Sequence, residues 1–173
     1  HTDGVLRNNL IVGCSDVGIY LNRAANTRVV HNTLVETTGV DYRFPSTTGE
    51  AHGNVVSSQI RVRDGASLVE SENLEDVSLA SFEGWFEAPL AGDFTLAAGA
   101  DLSALVGVAA TTTADVTHDY CLRDRGALPH DLGALEVSLG PCATKPPPVS
   151  GAGAEGGAGP GGAGAGGDAG GAG

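Results

Sequence analysis

Charged and ring-bearing side chains recur beside short apolar runs in the first third of the chain. They are Arg28, His31, Asp41, Tyr42, Arg43, His52, Arg61 and Arg63. Proton abstraction next to a carboxylate needs a base and a cation that neutralises the carboxylate. Four of these residues are therefore candidates for catalysis, namely Arg43, Arg63, His31 and His52. Five could line an outer binding groove, namely Arg28, Arg43, Arg61, Arg63 and Tyr42.

A simpler interpretation of the arginines stays open. The exposed face of a strand needs polar residues whether or not a ligand binds. The arginines are then solvated and paired with nearby acids, which are Glu36, Asp41, Glu50 and Asp64. Arg43 and Arg63 lie twenty residues apart, so one turn of a repeating coil would place them about 5 Å from each other.

Other reaction centres find little support. The string DVTHDYC brings Asp115, His118, Asp119 and Cys121 within seven residues, but a zinc site usually has a second ligand pair elsewhere and none is present. We predict no metal and interpret this string as a turn. A glycosidase centre built on paired aspartates is also not indicated. We predict no cofactor, with calcium as an open alternative because the chain is acidic.

The formal charge is −12 and is unevenly distributed. Residues 1–63 hold six arginines against five acids, whereas residues 64–136 hold two arginines against fourteen acids. An acidic surface repels phosphate backbones, so nucleic acid is not expected as a partner. No run of 18 apolar residues occurs, so we predict no membrane span in this chain.

Asparagine returns at a regular interval between apolar runs. Asn9, Asn32, Asn54 and Asn73 are spaced 23, 22 and 19 residues apart. The stretches between them alternate apolar and polar residues, which is typical of strands. Strands that recur about every twenty residues must stack on their neighbours to bury a face. We therefore predict an all-β, parallel β-helix.

The asparagines have a structural role in this prediction. We expect Asn9, Asn32 and Asn54 to mark the bend of each coil, because Asn tolerates the left-handed conformation and its amide can bond to the next coil. Stacked amides would then form a ladder along the axis. The residues expected to point inward are Leu6, Leu10, Val12, Ile19, Leu21, Val30 and Leu34.

Three segments are predicted. Residues 1–75 form the coils, with regularity weakening near residue 70. Residues 76–142 form a terminal coil and a cap in which Phe82, Trp85, Phe86 and Phe94 cover the open end of the stack. Residues 143–173 begin with prolines and continue as a Gly/Ala-rich flexible linker. Cys121 and Cys142 are candidates for a disulfide, which would favour an oxidising compartment, and the sequence leaves open whether they are bridged.

Two motifs near the end carry a resemblance to a known family. Residues 85–96, WFEAPLAGDFTL, and residues 130–136, HDLGALE, resemble the C-terminal end of secreted bacterial right-handed parallel β-helix proteins of the pectate-lyase-like superfamily. The matching positions include Asp93, Asp131, Gly133 and Glu136, to which the resemblance gives structural roles. The family's Asp-x-x-Gly-x-x-Arg element is altered here, since Asp119 to Arg123 lacks its glycine.

The resemblance implies an extracellular or cell-surface protein. The leading hypothesis is a non-catalytic scaffold that binds polysaccharide along its strand faces. The alternative is the C-terminal part of a polysaccharide lyase or glycoside hydrolase whose catalytic coils lie upstream. The chain opens HTDGVL without a leader sequence, so upstream coils of the same precursor are expected partners of the first coil.

Overall fold

The structure is a computed structural model that describes residues 1–111 and 116–142. Its first part consists of short strands whose order repeats every three strands. The strands are β1 (Val5–Arg7), β2 (Leu10–Val12), β3 (Ile19–Asn22), β4 (Thr27–Val30), β5 (Thr33–Val35), β6 (Val40–Arg43), β7 (Thr48–His52), β8 (Val55–Val56), β9 (Ile60–Arg63) and β10 (Ser67–Ser71). Three strands make one coil, so the chain completes three coils and begins a fourth.

Stacking of the coils produces three parallel sheets. The first sheet has the order β1-β4-β7-β10, the second β2-β5-β8 and the third β3-β6-β9. All pairs between neighbouring coils are parallel. The prediction of a stacked parallel β-solenoid is therefore confirmed. Of the described residues, no helix has the length and apolar character that crossing a membrane requires.

The interior of the solenoid is an apolar column with side chains from all three sheets. Its buried members are Ile19, Leu21, Ala24, Val29, Leu34, Val40, Tyr42, Ala51, Val56 and Ile60, with Leu6 and Ile11 partly buried beside them. Of the predicted inward residues, Leu6, Ile19, Leu21 and Leu34 lie here. Val12 does not, because in β2 it is Ile11 that faces the interior, and strand alternation turns Leu10 and Val12 outward. Val30 is buried but lies outside this cluster.

The repeating asparagines form a continuous amide ladder. Oδ1 of Asn32 accepts from the backbone N–H of Asn9 at 3.0 Å and from its Nδ2 at 2.8 Å. Asn54 accepts in the same way from Asn32, and Asn73 from Asn54. The remaining Nδ2 hydrogens bond to carbonyl oxygens of the first sheet. Each amide thus satisfies backbone groups that the bend would leave unpaired.

The left-handed backbone at each bend belongs to the residue before the ladder asparagine. Asn8, His31, Gly53 and Glu72 have φ between 51° and 65°. The ladder asparagines are therefore not the left-handed residues, which corrects one of the two reasons expected for their recurrence. The other reason, an amide that bonds to the next coil, is confirmed. The asparagines recur because an amide is needed to bridge coils. Gly53 is the corner residue without a side chain, and a Cβ there would lie 2.8 Å from Cε1 of His31.

The coil pattern continues beyond residue 70, where it was expected to weaken. Leu74 pairs with Val55 in the second sheet, and the N–H of Val77 bonds to the carbonyl of Val56 at 3.1 Å. Asn73 completes the ladder although no apolar run follows it. The repeat therefore ends at Val77, where Ser78 caps the following helix through a bond to Ser81 N–H.

The C-terminal segment, residues 78–142, packs on the side of the solenoid. It contains α1 (Leu79–Trp85), then the antiparallel pair β11 (Phe86–Ala88) and β12 (Asp93–Leu96), and two short 3₁₀ helices (Pro89–Ala91 and Val137–Leu139). Its buried residues form one apolar cluster with the outer face of the second sheet. The cluster members are Val35, Val55, Val77, Phe82, Trp85, Phe86, Leu105, Ala109, Leu132, Leu135 and Val137.

This lateral packing differs from the expected lid over the open end. The outward residues Val12, Val35 and Val55 make the second sheet apolar on both faces, so it needs a covering layer. The aromatic residues supply that layer, and Phe82 and Trp85 meet edge to face at 5.7 Å. The predicted linker, residues 143–173, lies outside the described residues.

Candidate functional site

The outer face of the third sheet presents two rows of polar and aromatic side chains. Register pairs Tyr20 with Asp41 and Asp41 with Arg61 in one row. The second row pairs Asn22 with Arg43 and Arg43 with Arg63. Arg43 and Arg63 therefore lie on neighbouring strands at the same level, as their spacing of twenty residues suggests. We call this surface, with Arg23, Phe44 and Asp64 beside it, the arginine face.

Asp41 anchors two of the arginines. Its side chain is only 1% exposed, and it accepts from Nε of Arg61 at 2.6 Å and from Nη1 of Arg63 at 3.0 Å. A buried carboxylate with two cationic partners is satisfied and held in place. Each guanidinium has five N–H donors, so one bond to Asp41 leaves donor capacity for a ligand at the exposed side.

Arg43 connects the two rows to the aromatic rings. Its Nε lies 2.5 Å from Oδ2 of Asp64, and its Nη1 donates to the Tyr20 hydroxyl at 3.3 Å. The guanidinium also lies 5.1 Å from the ring centre of Phe44, which Arg23 approaches at 5.3 Å. Stacked arginines and rings of this kind are each worth about 0.5–1 kcal/mol at exposed sites. They fix the arginines in place on a surface that remains open.

The electrostatics of the arginine face differ from those of the whole chain. It holds four arginines and two aspartates, a formal charge of +2, on a protein whose formal charge is −12. The ring of Tyr20 is 45% exposed and lies beside the Arg43 guanidinium. Such a surface suits a ligand that carries both anionic groups and apolar faces.

Four sequence candidates lie away from this face, namely Tyr42, Arg28, His52 and His31. Tyr42 points into the solenoid, where it is fully buried and its hydroxyl donates to the carbonyl of Glu50 at 2.9 Å. No ligand on the outer surface can reach it, so it is excluded from ligand contact. Arg28 lies on the first sheet, in register with Glu50. His52 is buried beside Ser71, with Nδ1 and Oγ 2.8 Å apart.

His31 is a corner residue that faces the C-terminal segment. Its Nδ1 lies 3.2 Å from the carbonyl oxygen of Asp131, and its ring meets His130 edge to face at 6.0 Å. Burial, with the nearby Arg125 and His130, lowers the pKa of His31 to about 3. A neutral imidazole that is 1% exposed cannot act as a base on a surface ligand. The structure thus separates His31 from Arg43 and Arg63.

The strap, residues 116–136, crosses the corners of the coils. Asn8 bonds to the carbonyl of His118 and accepts from Arg125, and the carbonyl of Gly53 accepts from the N–H of Gly133 at 2.7 Å. The fourth corner, Glu72, accepts from the N–H of Thr111, which lies just before the strap. Each of the four left-handed residues that precede a ladder asparagine therefore has a partner in the C-terminal segment.

The closing motif organises the strap. Asp131 accepts from the N–H groups of Gly107 and Ser138. Glu136 accepts from Nη1 of Arg125 at 2.6 Å and from the N–H of Asp131 at 3.1 Å. Gly133 has φ of +80°, and a Cβ there would lie 2.5 Å from Oγ1 of Thr33. These three positions hold the strap against the solenoid.

The altered element from Asp119 to Arg123 forms a rigid turn. Asp119 accepts from Nε and Nη2 of Arg123 and from the N–H of Cys121. Burial would raise the pKa of Asp119, but the bonds from Arg123 hold it below its usual range. Cys121 is bonded to Cys142, with their Cα atoms 6.0 Å apart. Asp119 is thus engaged with Arg123 in the structure.

The remaining positions of the two motifs have local roles. Oδ1 of Asp93 accepts from the N–H and the hydroxyl of Thr95. Of the string DVTHDYC, Asp115 lies outside the described residues, and His118 shares a hydrogen bond with Thr117. Among residues 1–111 and 116–142, no group of three or more His, Cys, Asp or Glu side chains is arranged to hold a metal.

Sequence reasoning missed Tyr20, Arg23 and Phe44. Tyr20 stands between Ile19 and Leu21 in an alternating strand, which is the signal that would have placed it outside. Phe44 directly follows Arg43 at a left-handed position with φ of 75°, which no apolar pattern indicates.

Compared with known proteins, the chain matches no family model, no curated protein and no solved structure.

Proposed function

We propose that this protein is an extracellular or cell-surface scaffold that binds acidic polysaccharide on its arginine face. One observation carries the proposal: Asp41 and Asp64 hold Arg43, Arg61 and Arg63 on one exposed sheet face beside the ring of Tyr20. Arg43 and Arg63 lie in register on neighbouring strands. The resemblance of the two terminal motifs to secreted pectate-lyase-like β-helix proteins supports the same class of ligand.

The binding mode follows from the geometry of the face. Arginines on neighbouring strands repeat about every 4.8 Å along the solenoid axis. Carboxylate or sulfate groups of an extended chain would pair with the outer N–H donors of Arg43 and Arg63. A sugar ring would lie against Tyr20. This face supplies binding and orientation, and the proposal assigns it no bond cleavage.

Binding is tested by affinity electrophoresis of the chain in gels that contain pectate, alginate or chondroitin sulfate, with dextran as the neutral control. We expect retardation in the acidic gels that weakens with salt. Arg43→Ala and Arg63→Ala together should weaken retention about tenfold, since each removes a charge-assisted contact. Arg28→Gln, on the first sheet, is the matched control and should retain binding.

Two results would contradict the proposal. Equal retention of the double variant would move the binding surface elsewhere, and loss of retention only in Arg28→Gln would place it on the first sheet. The same samples, monitored for absorbance of unsaturated uronides, test the alternative of a lyase. Turnover that disappears in Arg43→Ala would replace the scaffold with an enzyme.

A further inference from the structure

The last strand of the first sheet, β10, has an open edge. In the sheet order β1-β4-β7-β10 it pairs only with β7, and no other strand of the described residues lies on its outer side. The N–H of Ser67 bonds to the carbonyl of Thr47. Because backbone groups alternate in direction along a strand, the N–H and C=O groups of Leu68 and Glu70 face the open side.

This edge presents an apolar side chain, Leu68, and a carboxylate, Glu70. Leu68 lies in register with Gly49, and Glu70 lies in register with Ala51. Ala51 is the last apolar residue of a column that runs from Leu6 through Val29. Val69, between them, is 65% exposed. An added strand would therefore meet Leu68 and Glu70 with one set of alternate side chains and Val69 with the other.

The end of the solenoid is strongly acidic. Residues 67–76 include Glu70, Glu72, Glu75 and Asp76 and no lysine or arginine. Glu75 accepts from the N–H of Ile60 at 2.7 Å and so covers part of the adjacent edge of β9. Burial and the nearby Glu75 raise the pKa of Glu70, and none of the ion pairs among the described residues includes Glu70.

This charge pattern selects the partner. Inward-pointing charges on an edge strand are a known protection against pairing of like edges, and two copies meeting here would bring Glu70 and Glu75 against their equals. A strand that carries a lysine or arginine over Glu70 instead supplies the missing cation. Main-chain bonds to an edge strand then give affinity, and the alternate side chains give specificity.

We propose that β10 accepts an extended basic segment of a partner protein as an added strand, with an apolar side chain over Leu68 and a cationic one over Glu70. The surface lies on the first sheet and is independent of the arginine face. Glu70 and Glu75 provide the charge complementarity, and Leu68 and Glu70 provide the backbone groups.

The test uses the full chain and the synthetic peptide acetyl-Thr-Val-Thr-Lys-Thr-amide, titrated to about 1 mM, a range in which weak binding is measurable. We expect saturable shifts in the amide NMR signals of Ser67 to Ser71. Replacing the peptide lysine by glutamate, or Glu70→Gln together with Glu75→Gln in the protein, should weaken binding about tenfold. Glu87→Gln, an exposed residue of β11, is the matched charge control and should have no effect.

A peptide whose central residues are N-methylated keeps its charge but lacks the edge hydrogen bonds, and it should not bind. Equal binding of this peptide would overturn the proposal, because attraction would then be purely electrostatic. Absence of saturable shifts at 1 mM would overturn it as well. Self-association of the unmodified chain through this edge, measured by sedimentation and abolished by Val69→Lys, would assign the edge to a second copy instead. Circular dichroism of each variant verifies that the fold is retained.

Discussion

Oδ1 of Asn54 accepts two hydrogen bonds from Asn32, one from its backbone N–H at 2.9 Å and one from its Nδ2 at 3.0 Å. Both residues are fully buried. The same pair of bonds recurs between each neighbouring pair in the ladder. A bend of the solenoid therefore depends on an amide that both donates and accepts, which no other side chain except Gln supplies.

Asn54→Ala should strongly destabilise the protein. The change removes acceptors for Asn32 and donors to Asn73 and to the carbonyl of Val29. Leaving buried polar groups without partners costs about 1–3 kcal/mol each, so we expect a loss of at least 3 kcal/mol in urea unfolding. Asn22→Ala, at an exposed position of β3, should change stability by less than about 0.5 kcal/mol. Similar values for the two variants would contradict the ladder.

A comparison of Gly133→Ala with Gly126→Ala should separate the cost of a steric clash from the cost of backbone strain. The new Cβ would lie 2.5 Å from Oγ1 of Thr33, which accepts from the N–H of Ala134. Gly126 has a similar φ of +72° but nothing within 4 Å of its added Cβ. Gly126→Ala therefore reports strain alone, about 1–2 kcal/mol. We expect Gly133→Ala to cost about 2 kcal/mol more, and equal melting temperatures would refute this contact.

Arg125→Met should leave Glu136 as a buried charge without its cation. Arg125 also donates to the carbonyls of Asp131 and Gly133, so the strap loses several bonds at once. Removing one partner of a buried ion pair typically costs about 3–5 kcal/mol. The double variant with Glu136→Leu should recover at least part of this loss, because the uncompensated carboxylate is gone. A double variant less stable than the single one would exclude this explanation.

His31 should make the protein sensitive to acid. Its pKa is about 3 in the folded chain against an ordinary value of 6.5, so the unfolded chain binds a proton first as pH falls. Stability contributed by neutral His31 is therefore present above pH 6.5 and decreases down to about pH 3, by roughly 4 kcal/mol. His31→Asn keeps a residue that tolerates the left-handed corner. Its unfolding free energy should vary less between pH 6.5 and 3 than that of the parent chain.

The sequence predicted the parts of the fold that repeat locally. Recurrence of Asn9, Asn32 and Asn54 indicated stacked coils because one amide per coil is a requirement of the bend. The spacing of Arg43 and Arg63 is close to the length of one coil, and it therefore indicated that the two residues lie in register on neighbouring strands. Tyr42 was misplaced, although it has the same strand phase as Val40 and could have been assigned to the interior.

The contacts of the C-terminal segment were not predictable in this way. His31 meets Asp131 across a separation of 100 residues, and Asn8 meets Arg125 across 117. No local pattern encodes such a distance. The lateral position of α1 followed from the outward apolar residues of the second sheet, among them Val35 and Val55, whose face depends on a strand phase that three-residue strands define poorly.

The strap affects the order in which this protein can fold during its synthesis. In an ordinary repeat protein each unit touches only its neighbours, so folding can begin at any point and spread. Here the corner of the first coil is completed by Arg125, a residue synthesised more than a hundred positions later. Contacts this distant slow folding and join all coils into one cooperative unit, so a nascent chain that stops before the strap would lack Leu132 and Leu135 and leave part of the apolar cluster beside the second sheet open to other chains.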